Sequence, residues 1–287
     1  MCMTKKPLSY PDLNLAFVGA RNATDLNNSY IKILESTGIH HHTQYAAKLR
    51  EFSNVDKKKS AVRREYKAIK KFLKTWSKKN GVRVLFNVRK KDWIGFNAKI
   101  LLFQKNGRNL AAIRDLLGFK LILETEYPDT QKSHKLAYQL INDLLDFLTQ
   151  SRHCLLLEAE PKSGQPLDLA NKPSHIFIYN KNELKPEYIP NVKNYLIEPK
   201  EDFYQGLHTY IQTPEEVVLE IQIHTISTHL QAEKLHKDYK SLRYQDIDIN
   251  LDYPNIKIPG LVFDTDGTAI FDSLGIFLSN FKFLEDN

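Results

Sequence analysis

Two cysteines, Cys2 and Cys154, in 287 residues exclude a disulfide framework and a cysteine-rich zinc site. There is no run of about 18 apolar residues, so no membrane span is legible. The first residues, Met1-Cys2-Met3-Thr4-Lys5-Lys6-Pro7, lack an apolar core of signal-peptide length. A reduced, cytoplasmic setting without a membrane partner is the expectation. No internal repeat and no clear linker divides the chain. What is present is ordinary globular material, 42% hydrophobic and 26% charged.

Positive charge is abundant but confined. The chain carries +7 overall. Between Lys48 and Lys91 stand 17 Lys/Arg against Glu51, Asp56 and Glu65, a local net of +14 that leaves −7 for the rest. Such a segment favours polyanions, namely RNA, DNA or nucleotide phosphates; a solvated helix face is the plain alternative. Tyr66, Ile69, Phe72, Leu73 and Trp76 recur at helical spacing within it and read as the buried face of an amphipathic helix. Lys58, Arg63, Arg64, Lys67, Lys70 and Lys71 then become candidate RNA contacts.

Residues 1–28 read as irregular. Helical periodicity runs over 29–36 and 44–79, stopped by Asn80-Gly81. Strands are expected at 82–88, 119–124, 155–157 and 176–179, with a hairpin at 207–212 and 217–223 and helices at 133–148 and 225–240. The acidic, aliphatic tail suggests a strand and a short helix. Strands alternating with helices, then a hairpin, indicate an α/β domain with a mixed sheet flanked by helices. The expected organisation is an N-terminal helical extension (1–59), a central domain (60–240) and a C-terminal extension (241–287).

Five patches gather residues suited to phosphate chemistry. Arg89-Lys90-Lys91 with Lys99 follows one strand, and Asp115 in Arg-Asp-Leu-Leu-Gly-Phe-Lys precedes another. Lys193-Asn194-Tyr195 and Pro199-Lys200 lie in a loop. Tyr204-Gln-Gly-Leu-His208-Thr enters a strand, and Glu220-Ile-Gln-Ile-His224-Thr ends one. By strand period Glu220, Gln222 and His224 share one face, opposite Leu219, Ile221 and Ile223.

In order and spacing these patches resemble the synthetase domain of the RelA/SpoT family, over roughly residues 60–240. Ala232-Glu233 and His236…Tyr239-Lys240 extend the match. The resemblance implies a nucleotidyltransferase-like α+β fold and an ATP pyrophosphotransferase acting on a 3′-hydroxyl. The acceptor is usually GDP or GTP, making guanosine alarmones; a toxic branch modifies the 3′ CCA end of tRNA. It further implies Asp115 and Glu220 as the carboxylates that hold Mg²⁺, with Glu220 alternatively the base. Lys91 and Lys99 become the triphosphate clamp, and Arg89 and Lys120 the adenine sandwich. Tyr204 becomes the ring stacked on the acceptor base, with Lys193, Lys200, His208 and Gln222 around the acceptor.

Departures from the family pattern cluster on the acceptor side. Asp202-Phe203-Tyr204 replaces Asn-Gly-Tyr, Gly206 and Gly95 each replace Ser, Asn194 replaces Asp and His224 replaces Arg; Lys120 stands for Arg, whose planar guanidinium stacks better on a base. With the basic segment, these departures favour tRNA as acceptor and a translation-inhibiting toxin with a neutralising antitoxin partner. An alarmone synthetase using a guanine or adenine nucleotide is the alternative, and a non-catalytic RNA-binding protein on this scaffold a third. The absence of a His-Asp dipeptide argues against the family's hydrolase domain. Phe263-Asp264-Thr-Asp266-Gly267-Thr268 resembles a phosphatase nucleophile motif, but reads as an Asp-Gly turn. His40-His41-His42 reads as a solvated loop.

Overall fold

The computed structural model describes residues 23–91, 93–125, 130–159, 177–179, 181–200, 203–233, 261–263 and 269–271. The chain divides into two units, residues 1–57, 90–116 and 244–287 in the first and 58–89 and 117–243 in the second.

In the first unit, α1 (Ala23–Ser36) and α2 (His40–Lys57) form a helical pair. The chain returns later as α4 (Trp93–Lys105). Their apolar stripes are Tyr30, Ile31 and Leu34 on α1, Tyr45, Leu49 and Phe52 on α2, and Phe96, Ile100 and Phe103 on α4, all buried. Phe52 stacks on Phe96 at 5.0 Å between centroids. Tyr45 and Asn97 close a buried hydrogen bond, which satisfies two polar groups that burial would otherwise penalise. His40-His41-His42 opens α2 instead of lying in a loop; His42 is buried and bonds Thr37 through Nδ1 at 2.7 Å.

The second unit carries α3 (Lys59–Asn80), the helix α5 (Thr130–Asp146) and a sheet. Its strands are β1 (Arg83–Lys90), β2 (Leu117–Glu124), β3 (Leu155–Leu157), β4 (Val192–Asn194), β5 (Leu207–Gln212) and β6 (Val218–Thr225). The order is β1-β2-β6-β5-β3, with β4 also on β5. β2 and β6 run parallel; β5 is antiparallel to β6, β3 and β4. The sheet is therefore mixed. A crossover carrying α5 separates β2 from its parallel neighbour, as parallel pairing requires. The hairpin turns at Thr213-Pro-Glu-Glu, closed by Glu216 N–H donating to Thr213 at 2.8 Å, with Glu216 in left-handed backbone. That is a type I turn with a bulge residue.

The single helix expected over 44–79 is two. The buried residues are Tyr45, Leu49, Phe52 and Val55 on α2, and Ala61, Val62, Tyr66, Ile69, Leu73 and Trp76 on α3. α2 ends at Lys57 and α3 begins at Lys59, with Lys58 between them at φ −98°, ψ 21°. α3 ends at Gly81, φ +65°, donating to Ser77 O, as Asn-Gly indicated. On its inner face Tyr66 stacks on Phe86 at 4.8 Å, and Trp76 Nε1 donates to Asp143 at 2.9 Å. Glu65 is wholly buried and takes a two-point guanidinium contact from Arg152, at 2.6 and 3.0 Å.

Residues 177–179 are not a strand. Tyr179 N–H donates to Leu196 O, and Phe177 O accepts from the Gln205 side chain; isolated bonds make no ladder. The helix expected at 225–240 is present over 226–233. Thr225 and Thr228 cap its start by exchanging N–H···Oγ bonds at 3.0 and 3.3 Å. Residues 236–240 lie outside the described residues. In the tail, β7 (Leu261–Phe263) pairs antiparallel with β8 (Ala269–Phe271), so the expected strand has a strand partner. The Asp264–Thr268 motif and the short helix expected there fall outside the described residues.

Candidate functional site

In the first unit, Asp115 sits just ahead of β2, Lys91 just after β1 and Lys99 on α4. Lys91 N–H donates to Leu116 O at 2.9 Å, tying the two approaches together. Lys91 Nζ meets Asp115 Oδ2 at 2.9 Å, and Lys99 Nζ meets Oδ1 at 2.7 Å. Burial by itself raises the Asp115 pKa, but the two ammonium groups outweigh it and hold the carboxyl well below the usual carboxylate range. The carboxylate is thus ionised at any physiological pH. A triphosphate entering this cluster offers both lysines a competing anion and leaves Asp115 available to a cation.

In the second unit, the β5–β6 register sets Tyr210 opposite Glu220 and His208 opposite Gln222. Leu219, Ile221 and Ile223 are fully buried on the far face, so the expected two-faced strand is present. Glu220 Oε1 accepts from His208 Nδ1 and from the Tyr210 hydroxyl, each at 3.2 Å. Tyr204 O–H lies 2.6 Å from His208 Nε2 and 3.1 Å from His224 Nε2.

Burial lowers the pKa of both imidazoles; Glu220 offsets part of this at His208, whereas neighbouring cations and histidines lower His224 further. Both rings are therefore neutral, and the proton order follows by elimination. A carboxylate only accepts, so His208 Nδ1 carries the proton and donates it. His208 Nε2 is then bare and accepts from the Tyr204 hydroxyl. The Tyr204 oxygen in turn accepts from His224 Nε2–H. This leaves His224 Nδ1 a bare, buried nitrogen without a hydrogen-bond partner. The chain Glu220–His208–Tyr204–His224 has one self-consistent direction of donation.

Gly206 explains two departures at once. A Cβ built on it would stand 2.9 Å from His224 Cε1 and 3.2 Å from Nδ1, at φ +156°. The missing side chain at 206 and the imidazole at 224 are one packing arrangement. Gly206→Ala is expected to push the His224 ring off the Tyr204 hydroxyl and to lower stability by about 1–3 kcal/mol through overpacking. Chemical denaturation checks this; an unchanged midpoint contradicts the contact.

Lys200 Nζ lies 4.3 Å from the Tyr204 ring centroid and 4.7 Å from that of Tyr195. One face of Tyr204 thus carries a cation, and a base stacks there only if Lys200 moves or takes the other face. Lys193, opposite His208 on β4, has Nζ 5.9 Å from the Tyr210 ring. Lys120 on β2 is opposite Gln222 and forms an ion pair with Glu233 at 2.8 Å. Arg89 is exposed at the end of β1. Asn194 faces the interior rather than an acceptor: it bonds Tyr138 and Asn182, where an aspartate would bury a charge.

At the start of α3, two of the six expected RNA contacts bond the hairpin turn. Lys58 Nζ donates to Glu215 O at 2.7 Å, and Arg64 pairs with the Glu215 carboxylate. Lys70 lies over the Tyr66 ring. Arg63, Lys67 and Lys71, with Lys74 and Lys78, are exposed and follow one helical stripe.

Among the described residues, no three metal-ligating side chains of His, Cys, Asp or Glu cluster. Asp115 and Glu220 each offer hard carboxylate oxygens, the donor type that suits Mg²⁺ shared with substrate phosphates. Also among the described residues, no helix is long and apolar enough to cross a membrane.

Residues 171–244 match the sequence model described as the region found in RelA / SpoT proteins. The chain carries a RelA/SpoT region. That region takes in Lys193, Lys200, Tyr204, His208, Glu220 and Gln222; Arg89, Lys91, Lys99, Asp115 and Lys120 lie ahead of it. No curated protein matches the chain. Solved structures similar to it include small alarmone synthetase 2 of Bacillus subtilis, 17% identical over 81% of this chain and 95% of that one, with a TM-score of 0.41. Small alarmone synthetase 1 of B. subtilis bound to its product pppGpp is 15% identical over 64% and 77%, at 0.39. A GTP pyrophosphokinase family protein of Streptococcus pneumoniae is 12% identical over 82% and 90%, at 0.41.

Proposed function

We propose that the RelA/SpoT-region enzyme transfers pyrophosphate from ATP to the 3′-hydroxyl of a guanine nucleotide, as an alarmone synthetase. The observation that carries this reading is the family region itself, 171–244, which encloses the Glu220–His208–Tyr204–His224 chain. The acceptor 3′ oxygen attacks the β-phosphorus of ATP, the α,β-bridging bond breaks and AMP leaves. Such transfers ask the protein for position and charge more than for covalent chemistry.

Lys91 and Lys99 exchange Asp115 for the triphosphate and hold it. The carboxylates of Asp115 and of Glu220 are each of the type that would hold Mg²⁺, which would supply the neutralising charge that phosphoryl chemistry needs. Glu220 is also placed to accept the 3′-hydroxyl proton, with His208 and Tyr210 fixing its orientation. Tyr204 offers its ring to the acceptor base. Lys193 and Lys200 meet acceptor phosphates, and Arg89 and Lys120 flank the donor base.

The exposed α3 stripe favours a second reading, with the tRNA 3′ end as acceptor. From Arg63 to Lys78 it extends roughly 22 Å at 1.5 Å per residue. That length suits a row of phosphates and exceeds the needs of one nucleotide. Incubation with ATP labelled in its β,γ-phosphates plus GDP, GTP, ATP or bulk tRNA distinguishes the two. Label on GDP or GTP is the expected result, and label on tRNA alone transfers the assignment to the second reading. In that case, replacing Arg63, Lys67, Lys71 and Lys74 by Glu is expected to cut tRNA labelling at least about tenfold. The log–log slope of affinity against salt should then flatten by roughly 0.7–0.9 for each phosphate that is no longer neutralised. Unchanged GDP labelling in this variant leaves the stripe a solvated face.

A further inference from the structure

Phe203 holds φ at +59°, in left-handed backbone. This region is hostile to bulky side chains and is normally filled by glycine, which is the residue the family pattern shows here. A fold gains nothing from such a residue on backbone grounds, and a change to glycine would relieve it. The conformation is enforced from both sides. Phe203 N–H donates to Lys200 O at 2.8 Å, its carbonyl accepts from Gln231 Nε2 at 2.7 Å, and Lys200 N–H donates to Tyr204 O at 3.2 Å. These bonds fix the peptide immediately before Tyr204 whatever the side chain is. The ring is half-buried and makes no contact with another aromatic ring among the described residues. Strain kept against an available relief, beside a recognition loop, marks a functional position.

We propose that Phe203 is a specificity-determining residue whose ring contacts the nucleobase of the pyrophosphate acceptor, next to Tyr204. This rests on the acceptor-loop reading above. A nucleobase presents a flat π-face to a neighbouring aromatic ring whether it belongs to a free nucleotide or to an RNA 3′ terminus. The backbone bonds at Phe203 fix where its side chain leaves the loop, one residue before Tyr204.

Phe203→Ala removes the ring and keeps the strain; Phe203→Gly removes both. GDP and the trinucleotide CpCpA serve as probes, read by calorimetric binding and by label transfer from ATP. Both variants are expected to weaken binding of the acceptor at least about tenfold and to raise its KM equally, with the KM for ATP unchanged. Phe203→Gly alone is expected to raise Tm by about 2 °C or more, since strain relief stabilises. The probe that loses affinity identifies the source of the base. A wild type that binds GDP through Phe203 yet transfers nothing overturns the activity reading and leaves the ring contact standing. Equal acceptor binding in wild type and both variants, or no binding of either probe by the wild type, overturns the proposal. A fall in Tm for Phe203→Gly does so too, because the ring would then be a packing element.

Discussion

Asp115→Asn is expected to abolish pyrophosphate transfer, by about 10³-fold or more, while ATP binding measured without Mg²⁺ becomes tighter. The carboxylate now neutralises Lys91 and Lys99 at 2.9 and 2.7 Å. An amide of the same shape removes that competition, so both ammonium groups are free to meet the triphosphate. The same change removes a charged oxygen ligand from the place where the reaction needs cationic charge. Loss of one preorganised electrostatic group in an active site costs about 10²–10³ in rate, and on the proposed reading the change also removes a Mg²⁺ ligand. The opposed directions of binding and turnover separate this from misfolding, which lowers both. Transfer at wild-type rate by a folded Asp115→Asn protein removes Asp115 from the site.

At Tyr204, two substitutions should part company. Tyr204→Ala removes the ring offered to the acceptor base, a stack worth about 1–3 kcal/mol. It also deprives His208 Nε2 and His224 Nε2–H of their shared partner, leaving buried polar groups unmet at about 1–3 kcal/mol each. Acceptor KM is expected to rise at least about tenfold, with a lowered Tm. Tyr204→Phe keeps the ring and cuts the hydrogen-bond chain in the middle. Its acceptor KM should stay within about twofold of wild type. Its kcat should fall by about tenfold or more, because His208 loses the donor that fixes its tautomer and with it the orientation of Glu220. Steady-state kinetics with each substrate varied in turn measures both. If Tyr204→Ala changes only the KM for ATP, the ring belongs to the donor side.

The elements legible in the sequence were those whose periodicity acts locally. The buried stripe of α3, the stop at Asn80-Gly81 and the alternation of Glu220, Gln222 and His224 against Leu219, Ile221 and Ile223 follow from side-chain direction alone. The hairpin followed from Pro214 and the two strands beside it. Residues 177–179 misled because an apolar run with a tyrosine fits a strand, while only the surrounding loops decide whether its bonds form a ladder. The break at Lys58 escaped because helical propensity is uninterrupted there.

Site residues divide the same way. Their identities, order and spacing were in the sequence, and the RelA/SpoT resemblance rested on those alone. Their partnerships were not. No pattern announces that Gly206 makes room for the His224 ring, that Asp115 is shared by two lysines, or that Lys58 and Arg64 bond the hairpin turn. The sequence by itself determined which charges and donor types the chain carries, because these belong to single residues. Which proton sits on which nitrogen, and which cations remain exposed, only the tertiary structure decided, because a hydrogen bond is a distance between atoms that the chain brings together from far apart.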